Sequence, residues 1–320
     1  MKCGRYNGPV QKQKAIQKSS LQLVLAMVIV GSTFVVAKTL TATLPLFLAN
    51  SLRFSIAAVA LLPMLVKRWP EVRQVRPLDM KRLLLSAAFG VFLFNILLFW
   101  GLRYVSAGTS GVITSFAPIA ITVLSVLFLK EKISHAKIAA SVVATVGLVV
   151  INFYASSTGG TGGSRPLGVA LIFGVVLCDA LFTLLAKSAA RRVAPEVMTL
   201  LVVYFSCLLF LPFGAWQAIH FHFSSLGAKD WLLLLYLGTI VNALSYFLWY
   251  SGLKRVSANQ AAVFTGIMPI SSLVLAAIFL KERVLPLQAL GLVFVLAGIF
   301  LATQSPAKQA PPLRSEEEYP

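Results

Sequence analysis

Acidic residues are scarce in this chain: its 320 residues include ten Asp and Glu against 28 Lys and Arg. Charged residues of either sign make up 12% of the sequence, about half the share usual in a soluble domain. A water-facing shell cannot be assembled from so little charge. Cysteine is equally sparse. Cys3, Cys178 and Cys207 have no metal-ligand spacing, and the last two sit inside apolar runs, where they read as small packing residues. The three histidines, His135, His220 and His222, stand at the ends of apolar runs with no partnered carboxylate or cysteine. The pattern therefore offers no metal site, no cofactor site and no nucleophile with a base, so an enzyme is not expected. A Walker motif is also missing, which excludes direct coupling to ATP. The net charge is +18. It does not mark a nucleic-acid binder, because the cations cluster between apolar runs and no zinc, helix-turn-helix or RNA-recognition pattern accompanies them.

What is present is hydrophobic length. The chain is 58% hydrophobic, with a mean hydropathy of +0.85. Crossing a bilayer as a helix takes about 20 mostly apolar residues. Ten segments qualify: 21–43, 46–66, 83–102, 107–129, 136–155, 167–187, 197–218, 231–252, 259–280 and 285–303. They are about twice as long as a membrane strand and do not alternate, so the fold class is an all-α integral membrane protein of ten spans. The first run is followed by nine more and reads as an anchor, not a cleaved signal. Cations in the connections orient the spans. One side collects 21 Lys and Arg, including both terminal tails, and the other side five, among them Arg103, Arg165 and Lys229. The positive-inside rule then puts residues 1–20 and 304–320 in the cytoplasm and implies a multi-pass protein of the cell (plasma) membrane. The acidic C-terminal tail reads as disordered.

The chain also repeats itself. Gly101-Leu102-Arg103-Tyr104-Val105-Ser106-Ala107 matches Gly252-Leu253-Lys254-Arg255-Val256-Ser257-Ala258, 151 residues later. Pro118-Ile119 matches Pro269-Ile270, Phe128-Leu129-Lys130-Glu131 matches Phe279-Leu280-Lys281-Glu282, and Gly147 matches Gly298. Each repeat, 21–155 and 167–303, holds five spans. Because five is odd, the halves are expected to be inverted in the membrane, joined by an external Gly/Ser-rich linker over 156–166.

With these residues in view, the chain resembles the drug/metabolite transporter (DMT) superfamily in its ten-helix EamA branch. Gly31-Ser32-Thr33-Phe34, Leu52-Arg53-Phe54, the Gly101–Ala107 run, Pro118 and Leu129-Lys130-Glu131 carry the likeness over roughly residues 20–303. The resemblance implies export or exchange of small metabolites and does not name the cargo. An amino acid is expected because Asp179 could take a cargo amine and Lys38 and Arg53 its carboxylate, in a secondary active transporter working by alternating access. Asp179 departs from the resemblance, since a neutral residue is more usual there. A channel is the rival reading from another class, opposed by the inverted pair and by the absence of a filter signature. A lipid-linked sugar flippase is a rival on the same fold, and a membrane-embedded enzyme is a third.

Ionisable groups inside spans are costly and mark interior or wet surfaces. Asp179 lies about 18 Å along its span, near the midplane, with Thr183 and Lys187 following on the same helix face. It serves either as a proton-coupling or amine-binding group or as half of a structural ion pair. Lys38 and Arg53 lie at similar depth from the outer side. They form a cationic patch for a carboxylate or phosphate, or else snorkel. Asn95, Phe99 and Trp100 in span 3, and Asn242, Tyr246, Trp249 and Tyr250 in span 8, gather amides and aromatics. Asn95 and Asn242 are too deep for an interfacial belt and suit a cavity or helix–helix hydrogen bonds, whereas Trp100 and Trp249 also fit a belt. Pro118 and Pro269 are expected to kink spans 4 and 9, either as purely structural kinks or with freed carbonyls that hinge the halves or line the cavity. The implied partners are a small-molecule substrate, the lipid bilayer and protons; oligomeric state is left open.

Overall fold

A computed structural model describes residues 9–40, 44–105, 107–129, 134–153, 165–279 and 286–304. All regular structure among them is helical. The helices are α1 (Pro9–Leu40), α2 (Leu46–Ala60), α3 (Leu62–Arg73), α4 (Pro77–Ala87), α5 (Phe94–Gly101), α6 (Ala107–Thr114), α7 (Ala117–Leu129) and α8 (His135–Phe153). They continue with α9 (Arg165–Ala189), α10 (Pro195–Ile219), α11 (Ala228–Tyr236), α12 (Ser245–Leu253), α13 (Ala258–Phe264), α14 (Ile267–Phe279) and α15 (Pro286–Gln304). Proline opens several of them: Pro77, Pro195 and Pro286 are first residues, and Pro63 and Pro166 second. An N-terminal turn has no use for the amide hydrogen that proline lacks.

Among the described residues, six helical stretches are long and apolar enough to cross a membrane: Pro77–Gly101, Thr109–Leu129, Pro166–Ala189, Pro195–Ile219, Ala228–Leu253 and Ala258–Phe279. The pair α2 and α3 adds a seventh if counted as one span, and His135–Ile151 and Pro286–Ala302 are shorter apolar helices. The protein is thus a helical, multi-pass membrane protein.

Three sequence expectations change. The segment expected as one span over 46–66 is broken at Leu61, and α3 leaves α2 at 73°. Pro63 explains the bend, because it cannot donate to the carbonyl of Val59 one turn earlier. The expected tail over 1–20 is helical from Pro9 onward, continuous with the first span. The linker expected over 156–166 yields Arg165 and Pro166 to α9; its residues 156–164 and the tail 305–320 lie outside the described residues.

Two helical stretches carry a π segment. Ala88–Leu93 separates α4 from α5, and Leu237–Leu244 separates α11 from α12. A second pair of interruptions falls at Ser115-Phe116 and Thr265-Gly266. There the backbone tightens to i→i−3 bonds, Phe116 N–H to the Ile113 carbonyl and Gly266 N–H to the Val263 carbonyl. Pro118 and Pro269 follow as the second residue of α7 and the third of α14. Each proline therefore sits just past a short interruption in its helical stretch.

Helices of the two sequence repeats interlock. α1 packs on α12 and α14, α9 on α4, α5 and α7, and α10 on α2. α8 and α15 approach closely: a Cβ built on Gly147 would lie 2.6 Å from the Gly291 carbonyl and 2.7 Å from the Val295 nitrogen. Small residues let helix backbones meet in this way when both flanks face lipid.

Candidate functional site

Asp179 is the fifteenth residue of α9. Phe173 and Leu177 on the same helix are 50% and 53% exposed and define its outward face. At about 100° per residue, Asp179 points some 200° away from Leu177, toward the bundle interior. Its neighbours on that inner face, Ile172, Val176 and Thr183, are buried, yet Asp179 itself is only partly so. It forms no hydrogen bond or ion pair with another described side chain. Asp179 is thus a partly buried, inward carboxylate without a described side-chain partner. Thr183, fully buried one turn further on, has a hydroxyl with no partner among the described residues.

Phe182, also on α9, begins an aromatic cluster with two residues of α12. Its ring centroid lies 6.3 Å from those of Tyr246 and Tyr250, which are 6.2 Å from each other. Tyr250 is fully buried and Tyr246 partly so. Gly90 in the first π segment makes room for Phe182, since a Cβ there would come within 2.3 Å of it.

Arg53 approaches the cluster from α2. Because α2 ends at Ala60, Arg53 is the eighth of its fifteen residues and stands at mid-helix, not toward the outer end as the longer span implied. Its Nε is buried without a partner, and its guanidinium lies 5.2 Å from the Phe54 ring. The guanidinium lies in the neighbourhood of the Tyr246 hydroxyl. Gly238 in the second π segment abuts the Arg53 backbone; a Cβ there would be 2.9 Å from the Arg53 carbonyl oxygen. Each π segment thus supports one helix of the site.

Asn242 lies in that second π segment, 2% exposed, and its side-chain nitrogen finds no partner among the described residues. Asn95 donates to the Val91 carbonyl at 2.6 Å, within its own helical stretch. Trp100 stands apart from the group. It is 43% exposed, and the Arg103 guanidinium covers it at 4.5 Å, an arrangement suited to the membrane interface. Trp249, in contrast, is buried with its indole nitrogen unpartnered. Lys38 is on α1, and its side chain lies outside the described residues.

Sequence reasoning missed a polar clasp around the turn between α12 and α13. Lys187 of α9 donates to the carbonyls of Leu253, at 2.7 Å, and Val256. Lys137 of α8 donates to the Ser257 hydroxyl at 3.4 Å. Gln260 reaches the Ala302 carbonyl at 3.0 Å. Asn259 donates to Thr122 at 2.6 Å and to Ser141 at 3.3 Å, tying α13 to α7 and α8. The Ser257-x-x-Gln260 capping box was the available signal.

Ionisable groups placed in the interior of an apolar helix bundle are a common setting of substrate and ion pathways. The EamA-like transporter family matches this chain twice, over residues 17–153 and 166–304. The chain is a member of that family, and so of the DMT superfamily. It is 36% identical over 284 residues to the uncharacterized transporter YetK of Bacillus subtilis, covering 88% of this chain and 85% of that one. An uncharacterized transporter of Archaeoglobus fulgidus is 28% identical over 90% of this chain and 99% of its own length. A Streptantibioticus cattleyicolor protein named "Probable terminal-alkyne amino-acid exporter" is 28% identical over 78% of this chain and 81% of its own. A crystal structure 20% identical in sequence covers 90% of this chain and 96% of its own, with a TM-score of 0.74, and speaks to the fold alone.

Proposed function

We propose that this chain is a secondary active transporter that exports small zwitterionic metabolites, amino acids above all, by alternating access coupled to protons. Asp179 carries the reading: it is an inward, accessible carboxylate without an ion pair, on a helix whose opposite face meets lipid. A cargo amine would pair with Asp179 and a cargo carboxylate with Arg53, whose Nε lacks a partner. Tyr246 and Phe182 would line the path between them, and Asn242 would supply a further donor. An empty Asp179 is free to take a proton, which links the proton and the amine as competitors for one carboxylate.

The proposed frame is ten spans in two inverted halves, with both termini in the cytoplasm of the cell membrane. The six long apolar stretches, the α2–α3 pair, α1, α8 and α15 together make ten. Secondary structure supports the repeat, since α8 and α15 begin and end 151 residues apart and the π segments recur at nearly that spacing. The two family matches follow the same division. Pro118 and Pro269 would then stand at equivalent hinges.

Uptake of radiolabelled amino acids into proteoliposomes under an imposed pH gradient tests this reading. Asp179→Asn should abolish gradient-driven uptake while the melting temperature stays unchanged. Unaltered transport by a folded Asp179→Asn protein would refute the role of this carboxylate.

A further inference from the structure

The bend at Leu61 turns α3 out of line with α2 and exposes one of its faces. α3 packs inward through Val72, which is buried, and through Met64, Leu65 and Arg68, which are partly so. Its other face carries Leu62, Val66 and Trp69, spaced i, i+4 and i+7, with exposures of 46%, 76% and 45%. Residues this apolar do not hold an outward face against water; they suit the boundary between acyl chains and headgroups, where tryptophan is favoured.

Cations border that strip. Lys67 lies beside it, Arg73 closes its C-terminal end, and Arg76 and Lys81 follow at the start of α4; all four are exposed. The Arg73 guanidinium stands 5.3 Å from the Trp69 ring, at the same level as the apolar face. Two neighbouring cations are already neutralised: Arg68 pairs with Glu71 and Glu196, and Arg82 with Asp79. Lys67, Arg73, Arg76 and Lys81 form no ion pair among the described residues. The matching stretch of the other repeat lacks these features. α10 runs on past Pro212 to Ile219 without a comparable break, and residues 213–227 contain no Lys or Arg.

We propose that α3 and the start of α4 form a docking site for anionic phospholipid. In this site Leu62, Val66 and Trp69 enter the acyl boundary, and Lys67, Arg73, Arg76 and Lys81 hold the headgroup phosphates. The attractions of such cations to an anionic surface add, so four together distinguish charged from zwitterionic lipid.

The test uses the full chain purified in neutral detergent and titrated with phosphatidylglycerol or with phosphatidylcholine of the same acyl chains. Phosphatidylglycerol should raise the melting temperature by about 5 °C, and phosphatidylcholine by much less. The combined variant Lys67→Gln, Arg73→Gln, Arg76→Gln, Lys81→Gln should keep its melting temperature in phosphatidylcholine and lose the extra shift. An equal shift from both lipids, or a full shift retained by the variant, overturns the site, as does inorganic phosphate reproducing the whole effect. Should the variant not fold, brominated phosphatidylglycerol should quench the wild type more than Trp69→Phe; equal quenching also overturns it.

Discussion

Lys187 and Asp179 lie two turns apart on one face of α9, yet their surroundings assign them opposite tasks. Asp179 stays accessible and unpaired, whereas Lys187 is buried against the carbonyls that end α12. Orphan carbonyls at a helix end need a donor, and a charged donor is the stronger kind. Lys187→Met should therefore lower the melting temperature by about 3–6 °C, corresponding to roughly 2 kcal/mol, in a thermal-shift assay. Its effect on transport should follow the amount of folded protein. Sequence alone singled out Asp179 because a carboxylate in an apolar run is conspicuous. It could not assign Lys187, whose acceptors lie 66 and 69 residues away in the chain.

At the scale of elements, the contact between α8 and α15 has little room for change. A methyl group on Gly147 would meet backbone atoms of Gly291 and Val295, and neither can rotate away. Gly147→Ala should destabilise by about 1–3 kcal/mol, read as a lower melting temperature and a smaller monodisperse peak in size-exclusion chromatography. Gly227→Ala is the control, because its added methyl would meet only the Asp230 carboxylate at 3.8 Å. Helix existence was legible from hydrophobic length, and the interruptions near Pro118 and Pro269 from proline chemistry. The break at Leu61 was masked by the apolar run Leu61–Val66, within which Pro63 went unweighted. The π segments left no trace in composition, since Ala88–Leu93 and Leu237–Leu244 read as ordinary apolar helix. The aromatic cluster was half visible: Tyr246 and Tyr250 are one turn apart, but Phe182 joins them only through tertiary packing.

For the whole molecule, the uneven distribution of Lys and Arg makes a claim about orientation that labelling can check. In a background with the native cysteines replaced by serine, Gly160→Cys should react with an impermeant thiol reagent in intact cells. Lys81→Cys should react only after permeabilisation. Reversal of that pattern would turn the protein over in the membrane. The bend after α2 has a further consequence at this scale. α2 rises about 22 Å over its 15 residues, and α10 about 37 Å over its 25. The hydrocarbon layer is about 30 Å thick, so one helix falls short of it and the other overshoots. Thinned lipid or snorkelling flanks around α2, and tilt of α10, would accommodate the mismatch at a cost of fractions of a kcal/mol per ångström. A bilayer of longer acyl chains should therefore strain the region that holds Arg53.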